Sequence, residues 1–149
     1  MVTNSARVTA EGKTTGEIGP GALILLGVEA DDTPAHAALM AKKAAELRVF
    51  CDEHGKMNRS LLDTGGEVLA VSNFILCANC RHGRRPEFLG AARPETARPL
   101  YELFMQELRR LGVARVEAGL FGAHMQISMM GNGPVTIPLD TRDWLRTAP

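Results

Sequence analysis

The residues of this chain best suited to chemistry fall into three groups. Cys51-x-x-His54 and Cys77-x-x-Cys80, with His82 two positions further on, have the two-residue gap that lets paired side chains reach one tetrahedral ion. The same thiols can instead be inert packing groups, or reactive ones if nearby Arg81 lowers their pKa. The inert reading is favoured, because both pairs abut strands in a chain large enough to fold without a metal. A second group, Arg81, His82, Arg84 and Arg85, lies within five residues; it suits a phosphate and equally a solvated loop. The third is Gly131-Asn132-Gly133-Pro134-Val135-Thr136, a turn sequence between two apolar runs. Four histidines without a Gly-x-Ser-x-Gly elbow give no support to a serine triad. Nor is there a glycine loop ending in Lys-Ser/Thr, or a Gly-x-Gly-x-x-Gly, so triphosphate and dinucleotide chemistry are not indicated.

The elements that must position these groups are readable from turn residues and apolar periodicity. Arg7–Ala10 and Thr14–Ile18 flank Glu11-Gly12-Lys13 as a hairpin, and Ala22–Val28 is apolar enough for a buried strand. Thr33 and Pro34, behind two aspartates, open a helix whose apolar face carries Ala37, Met40, Ala41, Ala44 and Leu47. Val49-Phe50 predicts a short strand and Val68–Leu76 the clearest one. A basic, irregular loop then runs to Pro94. Glu95–Leu111 predicts a second helix, stopped by Gly112. Val113–Ala118, Met125–Met130 and Val135–Leu139 predict a strand-rich second half, and Asp143–Pro149 an exposed end. The pattern is that of a mixed α/β or barrel-like domain.

At 149 residues the chain is the size of one domain, and its 45% hydrophobic and 23% charged residues exclude disorder. Net charge is zero, but residues 1–75 carry 7 basic and 10 acidic groups, and residues 76–149 carry 10 and 7. The longest apolar run, Ala22–Leu26, is far short of the ~20 residues of a membrane span. With no signal-type stretch and an odd count of 3 cysteines, a cytoplasmic protein without a membrane association is expected.

Ordered segments along the chain resemble the D-aminoacyl-tRNA deacylase family, also called D-tyrosyl-tRNA deacylases. They are Gly16-Glu17-Ile18-Gly19-Pro20-Gly21, Leu25–Glu29, Arg48-Val49-Phe50, Asp52–Asn58, Val71–Leu76, Gly83–Phe88, Phe121–Gln126 and Gly133–Thr136. The resemblance runs from about residue 2 to Asp140. It implies one domain over residues 1–149, an α/β fold with barrel-like, largely antiparallel strands and two main helices. It also implies a homodimer with the active site at the subunit interface, no cofactor and no metal. The implied reaction is hydrolysis of the ester joining a D-amino acid, or glycine, to the terminal adenosine of tRNA. The family's Ser-Gln-x-x-Leu motif falls on Ser72-Asn73-Phe74-Ile75-Leu76, which makes Ser72, Asn73, Phe74 and Ile75 the catalytic candidates. Its Asn-x-Gly-Pro-x-Thr motif falls on Gly131–Thr136. There a cis Gly133-Pro134 peptide enters the partner's pocket and excludes L side chains, with Gly131, Val135, Thr136 and Met125 completing the substrate-binding set. Arg84, Arg85 and Lys56 are the implied tRNA contacts.

The departures cluster in those motifs. Asn73 stands for Gln, retracting the amide by one methylene. Ile75 stands for a Thr and has no oxygen to form a covalent intermediate. Gly131 stands for an Asn, which loosens the turn. The family's first strand begins before Met1, and the Arg that fixes the Gly-Pro peptide is replaced by Met1 or Val2. Backbone N–H groups at Phe74 and Ile75 survive any side-chain change and still serve an oxyanion, with the substrate's 2′-hydroxyl assisting. The expectation is a deacylase with shifted specificity. Its alternatives are a non-catalytic descendant that binds aminoacyl-tRNA or a nucleotide, and a hydrolase of another acyl ester, or a zinc-stabilised variant using Cys77 and Cys80.

Overall fold

The structure is a computed structural model and describes residues 1–145. Strands β1 (Val2–Ala10), β2 (Lys13–Ile18) and β3 (Gly21–Leu26) come first, followed by helix α1 (Pro34–Glu46). A small hairpin, β4 (Phe50–Cys51) and β5 (Met57–Arg59), and a one-turn helix α2 (Leu61–Thr64) lead to β6 (Glu67–Ser72). Helix α3 (Pro94–Leu111), β7 (Val116–Ala118), β8 (Met125–Gly131) and the short α4 (Arg142–Leu145) complete the order.

β1 is the hub of the six-stranded sheet. One edge takes β8 along its length; the other takes β3 at Val2-Thr3 and β2 from Ala6 to Ala10, all antiparallel. β6 lies parallel to both β3 and β7, so the connections out of β3 and β6 must cross over, and they carry α1 and α3. β2 closes toward β7, which makes the sheet a nearly closed barrel. Gly16 marks the seam: a Cβ there would stand 2.5 Å from the Ala118 carbonyl oxygen. The expected barrel-like α/β fold with two main helices is the one observed.

β6 explains the two cores. Its alternate residues Val68 and Ala70 face α1 and α3, packing with Ala41, Ala45, Phe104 and Leu108. Leu69 and Val71 face the barrel interior with Ala6, Val8, Ile18 and Leu23. A strand buried on both faces reads as a continuous apolar run, which is why it was so legible. On α3 the buried stripe is Leu100, Tyr101, Phe104, Met105 and Leu108, and Gly112 ends the helix in the left-handed region. Tyr101 Oη, although buried, donates to the Ala70 carbonyl at 2.8 Å, tying helix to sheet.

Three expectations need correction. The strand expected over Val68–Leu76 ends at Ser72, because Asn73 turns the chain into a 3-10 turn at Phe74–Cys77. The strand expected over Val135–Leu139 is irregular; Pro134 just before it and Pro138 within it have no N–H donors. The exposed end expected at Asp143–Pro149 instead begins inside α4, where Lys43 sits 5.1 Å from the Trp144 ring centroid. Its last four residues lie outside the described residues. The helix α2 was unanticipated, although Ser60-x-x-Asp63 is a capping box whose two hydrogen bonds both form.

Candidate active site

The turn after β6 is built from backbone. Asn73 N–H donates to the Leu26 carbonyl at 2.8 Å, which pins the end of β6 to β3. Its side chain folds back, and Asn73 Oδ1 accepts the Ile75 N–H at 3.2 Å. The Asn73 carbonyl accepts from Leu76 N–H at 3.3 Å, and the Ile75 carbonyl from Ala78 N–H at 3.1 Å. Phe74, Ile75 and Leu76 therefore stand on a fixed turn with exposed side chains, at 55%, 50% and 56% exposure. Three neighbouring apolar side chains left in the open are unusual on a lone soluble chain. Of the two expected oxyanion donors, the Ile75 N–H already serves Asn73, whereas the Phe74 N–H has no acceptor among the described residues.

The second motif sits on an exposed loop after β8. Gly131 is the last residue of β8, opposite Thr3, and the register shifts by one residue between this pair and Ser5 opposite Met130. Val2 brackets the loop by its backbone: its carbonyl accepts from Asn132 N–H and its N–H donates to the Val135 carbonyl, both at 3.0 Å. Of Met1 and Val2, it is Val2 that meets this loop, and it does so without a side-chain donor. The Gly133-Pro134 peptide is cis. Gly133 has φ +129°, and a Cβ on it would lie 2.6 Å from the Val135 nitrogen, so only glycine fits.

Leu76 of the first motif and Val135 and Thr136 of the second line one cavity of about 790 Å³, but the catalytic candidates Phe74 and Ile75 and the Gly133-Pro134 peptide do not line it. Met125 packs into the end of the barrel interior, where its sulfur, Val8 and Val71 crowd Gly119. Thr136 is exposed and Val135 half-buried beside the loop.

The basic group is a projecting loop. Asn79 and Glu87 exchange backbone hydrogen bonds at 2.8 and 3.0 Å, closing a hairpin-like excursion with Arg81, His82, Arg84 and Arg85 at its tip. Phe88, at its base, meets Phe74 edge-on with centroids 5.1 Å apart. That contact joins the arginine loop to the turn at Phe74, a link the sequence did not announce. Lys56 is exposed at the β4–β5 turn, where its N–H and that of His54 donate to Asp52 and hold this carboxyl below the usual range.

The cysteine pairs do not converge. Cys51 and Cys80 are exposed, while Cys77 Sγ faces the Val28 carbonyl at 3.6 Å. Burial, with Glu29 and Asp32 nearby, pushes the Cys77 thiol up, which is the opposite of a reactive thiolate. No three His, Cys, Asp or Glu side chains among the described residues cluster as metal ligands.

A nearly closed α/β barrel that presents a backbone-lined turn and a glycine-proline loop on its surface is the frame into which the comparisons fit. The chain matches the model of the D-Tyr-tRNA(Tyr) deacylase family over residues 2–140, and it belongs to that family. A D-aminoacyl-tRNA deacylase of Roseiflexus castenholzii is 56% identical over 138 residues, covering 93% of this chain and 87% of the relative. One from Thermus aquaticus is 53% identical over 138 residues, covering 93% and 90%. Among solved structures, the c-Myc DNA Unwinding Element Binding Protein superposes with a TM-score of 0.87 at 37% identity, covering 93% and 94%. A probable eukaryotic D-amino acid tRNA deacylase shares the fold, with a TM-score of 0.77 at 16% identity over 89% and 92%.

Proposed function

We propose that this chain is an aminoacyl-tRNA deacylase. It hydrolyses the ester between a D-amino acid, or glycine, and the terminal adenosine of tRNA. Water adds to the ester carbonyl carbon; the ribose oxygen leaves with a proton, giving free amino acid and tRNA. The observation that carries this reading is membership of the deacylase family over nearly the whole described chain.

The Phe74 and Ile75 N–H groups stabilise the oxyanion, with Ser72 and Asn73 shaping the turn that presents them. Such a donor is worth about 2.7–4 kcal/mol in the transition state. Ile75 offers no nucleophile, so the substrate's own 2′-hydroxyl handles the proton. The carbonyls of Gly133 and Pro134 hold the substrate amino group and leave no room for an L side chain, while Gly131, Val135, Thr136 and Met125 shape the surroundings. A non-catalytic descendant is not favoured, because the Phe74 N–H stays open among the described residues and the Ile75 N–H is held only by the Asn73 side chain, which an oxyanion can displace.

The working unit is a homodimer, each Gly133-Pro134 loop entering the other subunit's site. In support, β8 carries exposed Ile127, Met129 and Met130, near 40–60% accessible. Arg84, Arg85 and Lys56 take the tRNA backbone, a sequence-independent contact suited to guanidinium forks. No cofactor or metal enters the scheme. No helix among the described residues is long and apolar enough to cross a membrane, and the cytoplasm is the compartment where the substrate is made.

The test is deacylation of D-Tyr-tRNA, Gly-tRNA and L-Tyr-tRNA by the purified protein. Release from the D and glycyl esters, with the L ester spared, is the expected result. Tight tRNA binding without turnover of any ester would favour the non-catalytic descendant instead.

A further inference from the structure

The arginine loop and the turn at Phe74 hang from the same stretch of chain after β3. On one side, Asn73 N–H is bonded to the Leu26 carbonyl. On the other, Ala92 N–H donates to the Val28 carbonyl at 2.9 Å and Ala30 N–H to the Gly90 carbonyl at 3.0 Å, which clamps the loop's return leg. Between these anchors the loop leaves the turn without a spacer. Ala78 N–H closes on the Ile75 carbonyl, and the next residue, Asn79, already pairs with Glu87. Arg81, Arg84 and Arg85 project beyond that pair, exposed and bound to no carboxylate among the described residues.

Phe88 follows Glu87 on the return leg, half-buried, with its ring edge-on to Phe74. Phe74 is 55% exposed, and its N–H is the oxyanion donor that has no acceptor among the described residues. What the Phe74 ring leans on therefore helps to fix where that N–H points. A phosphate that immobilises the arginines stiffens both legs of the loop. The stiffening reaches the turn by two short routes, along the chain through Ala78 and across it through the Phe88 ring.

We propose that Phe88 is a positioning residue for deacylation, passing the immobilisation of the arginine loop by the RNA backbone to the turn that carries the Phe74 N–H. The inference rests on the deacylase reading. It adds that phosphate contacts remote from the ester serve the chemical step as well as affinity. An edge-to-face ring pair carries a coupling of about two- to tenfold. Coupling is reciprocal, so the factor by which RNA steadies the turn is also the factor by which the turn strengthens RNA binding.

The experiment reads hydrogen exchange at the Leu76 and Ala78 amides, whose bonds to the Asn73 and Ile75 carbonyls close the turn. The probe is a tRNA lacking its 3′-terminal CCA, which reaches the arginines and brings no terminal adenosine to the site. It should slow exchange of both amides about two- to tenfold in the parent protein. In Phe88→Leu the slowing should vanish, and binding of the same RNA should weaken by the factor lost. On saturating D-Tyr-tRNA, Phe88→Leu should lower kcat about two- to tenfold. Phe88→Tyr, which keeps the ring, should match the parent in all three readings. Unchanged exchange in the parent, slowing that persists in Phe88→Leu, or a raised KM with kcat unchanged would each overturn the proposal. Slowed exchange in a parent that hydrolyses no ester would remove the deacylase reading while supporting the coupling through Phe88.

Discussion

Replacing Gly133 with alanine tests how strictly the backbone of the glycine-proline loop is required. At φ +129° an L residue is strained by about 1–3 kcal/mol. The added Cβ would also lie 2.6 Å from the Val135 nitrogen and 2.7 Å from Val135 Cγ2. Neither clash can be relieved without moving the loop. Movement is inexpensive for the fold, since the loop is exposed and its described backbone ties are the two bonds to Val2. Much of the strain is therefore released by displacement, and the stability loss should be about 1 kcal/mol, a fall of about 2–4 °C in Tm for a chain of this size. Activity should suffer far more: a 1 Å misplacement of positioning groups costs about 10²-fold. The assay is single-turnover deacylation of D-Tyr-tRNA and L-Tyr-tRNA, with a thermal melt alongside. The expected result is about a hundredfold slower D-ester hydrolysis, a narrowed D-to-L ratio and a nearly unchanged melt. Hydrolysis of the D ester within about twofold of the parent would refute the reasoning, since the loop's backbone would then not be what positions the substrate.

Asn73→Ala removes the acceptor that holds the Ile75 N–H at 3.2 Å; at about 1 kcal/mol for such a bond, D-ester turnover should rise about fivefold, and a tenfold fall would show that Asn73 contacts the reacting group. The double change of Arg84 and Arg85 to alanine should weaken tRNA binding about equally across tRNA sequences and lower the salt slope by nearly two, as read from filter binding at several ionic strengths. Tyr101→Phe removes the 2.8 Å bond to the Ala70 carbonyl and should cost about 1 kcal/mol in urea unfolding. Burial raises the Tyr101 phenol from 10.0 to about 12, so its stabilisation is complete below pH 10 and fades as pH climbs to about 12; the Phe variant should lack that alkaline loss. Thr3 Oγ1 is buried without a hydrogen-bond partner among the described residues, so Thr3→Val should raise stability by about 1–3 kcal/mol, read from the urea midpoint.

What could be read from the sequence follows from which forces are local. The Glu11-Gly12 hairpin, the Thr33-Pro34 helix start and the Gly112 stop depend on a few neighbouring residues, and each is observed where expected. β6 was visible because both faces are buried, giving Val68–Val71 an unbroken apolar run. The same run misled at its end. Phe74, Ile75 and Leu76 continue the apolar pattern but face outward, and periodicity does not distinguish a side chain kept for the core from one held for a partner. β1 extends back through Thr3-Asn4-Ser5, a polar stretch that is a strand only because β3 and β8 flank it. The candidate site was legible as two motifs, from resemblance alone. The Asn73 bond to the Ile75 N–H is a local Asx turn that the apolar run masked, whereas Val2 bracketing the glycine-proline loop and Phe88 coupling the arginine loop to Phe74 are contacts between residues far apart in sequence. No spacing in the sequence encodes the latter two.

The central claim is that the backbone turn at Phe74 and Ile75 stabilises the oxyanion while the RNA, not a side chain, moves the proton. Its most direct test compares D-Tyr-tRNA ending in adenosine with the same ester on a tRNA ending in 2′-deoxyadenosine. The account predicts that removing the 2′-hydroxyl slows hydrolysis by about 10²–10⁴-fold, the usual worth of a general acid–base group, with binding unchanged. Equal rates on the two substrates would contradict it and require a proton-transferring side chain in the site.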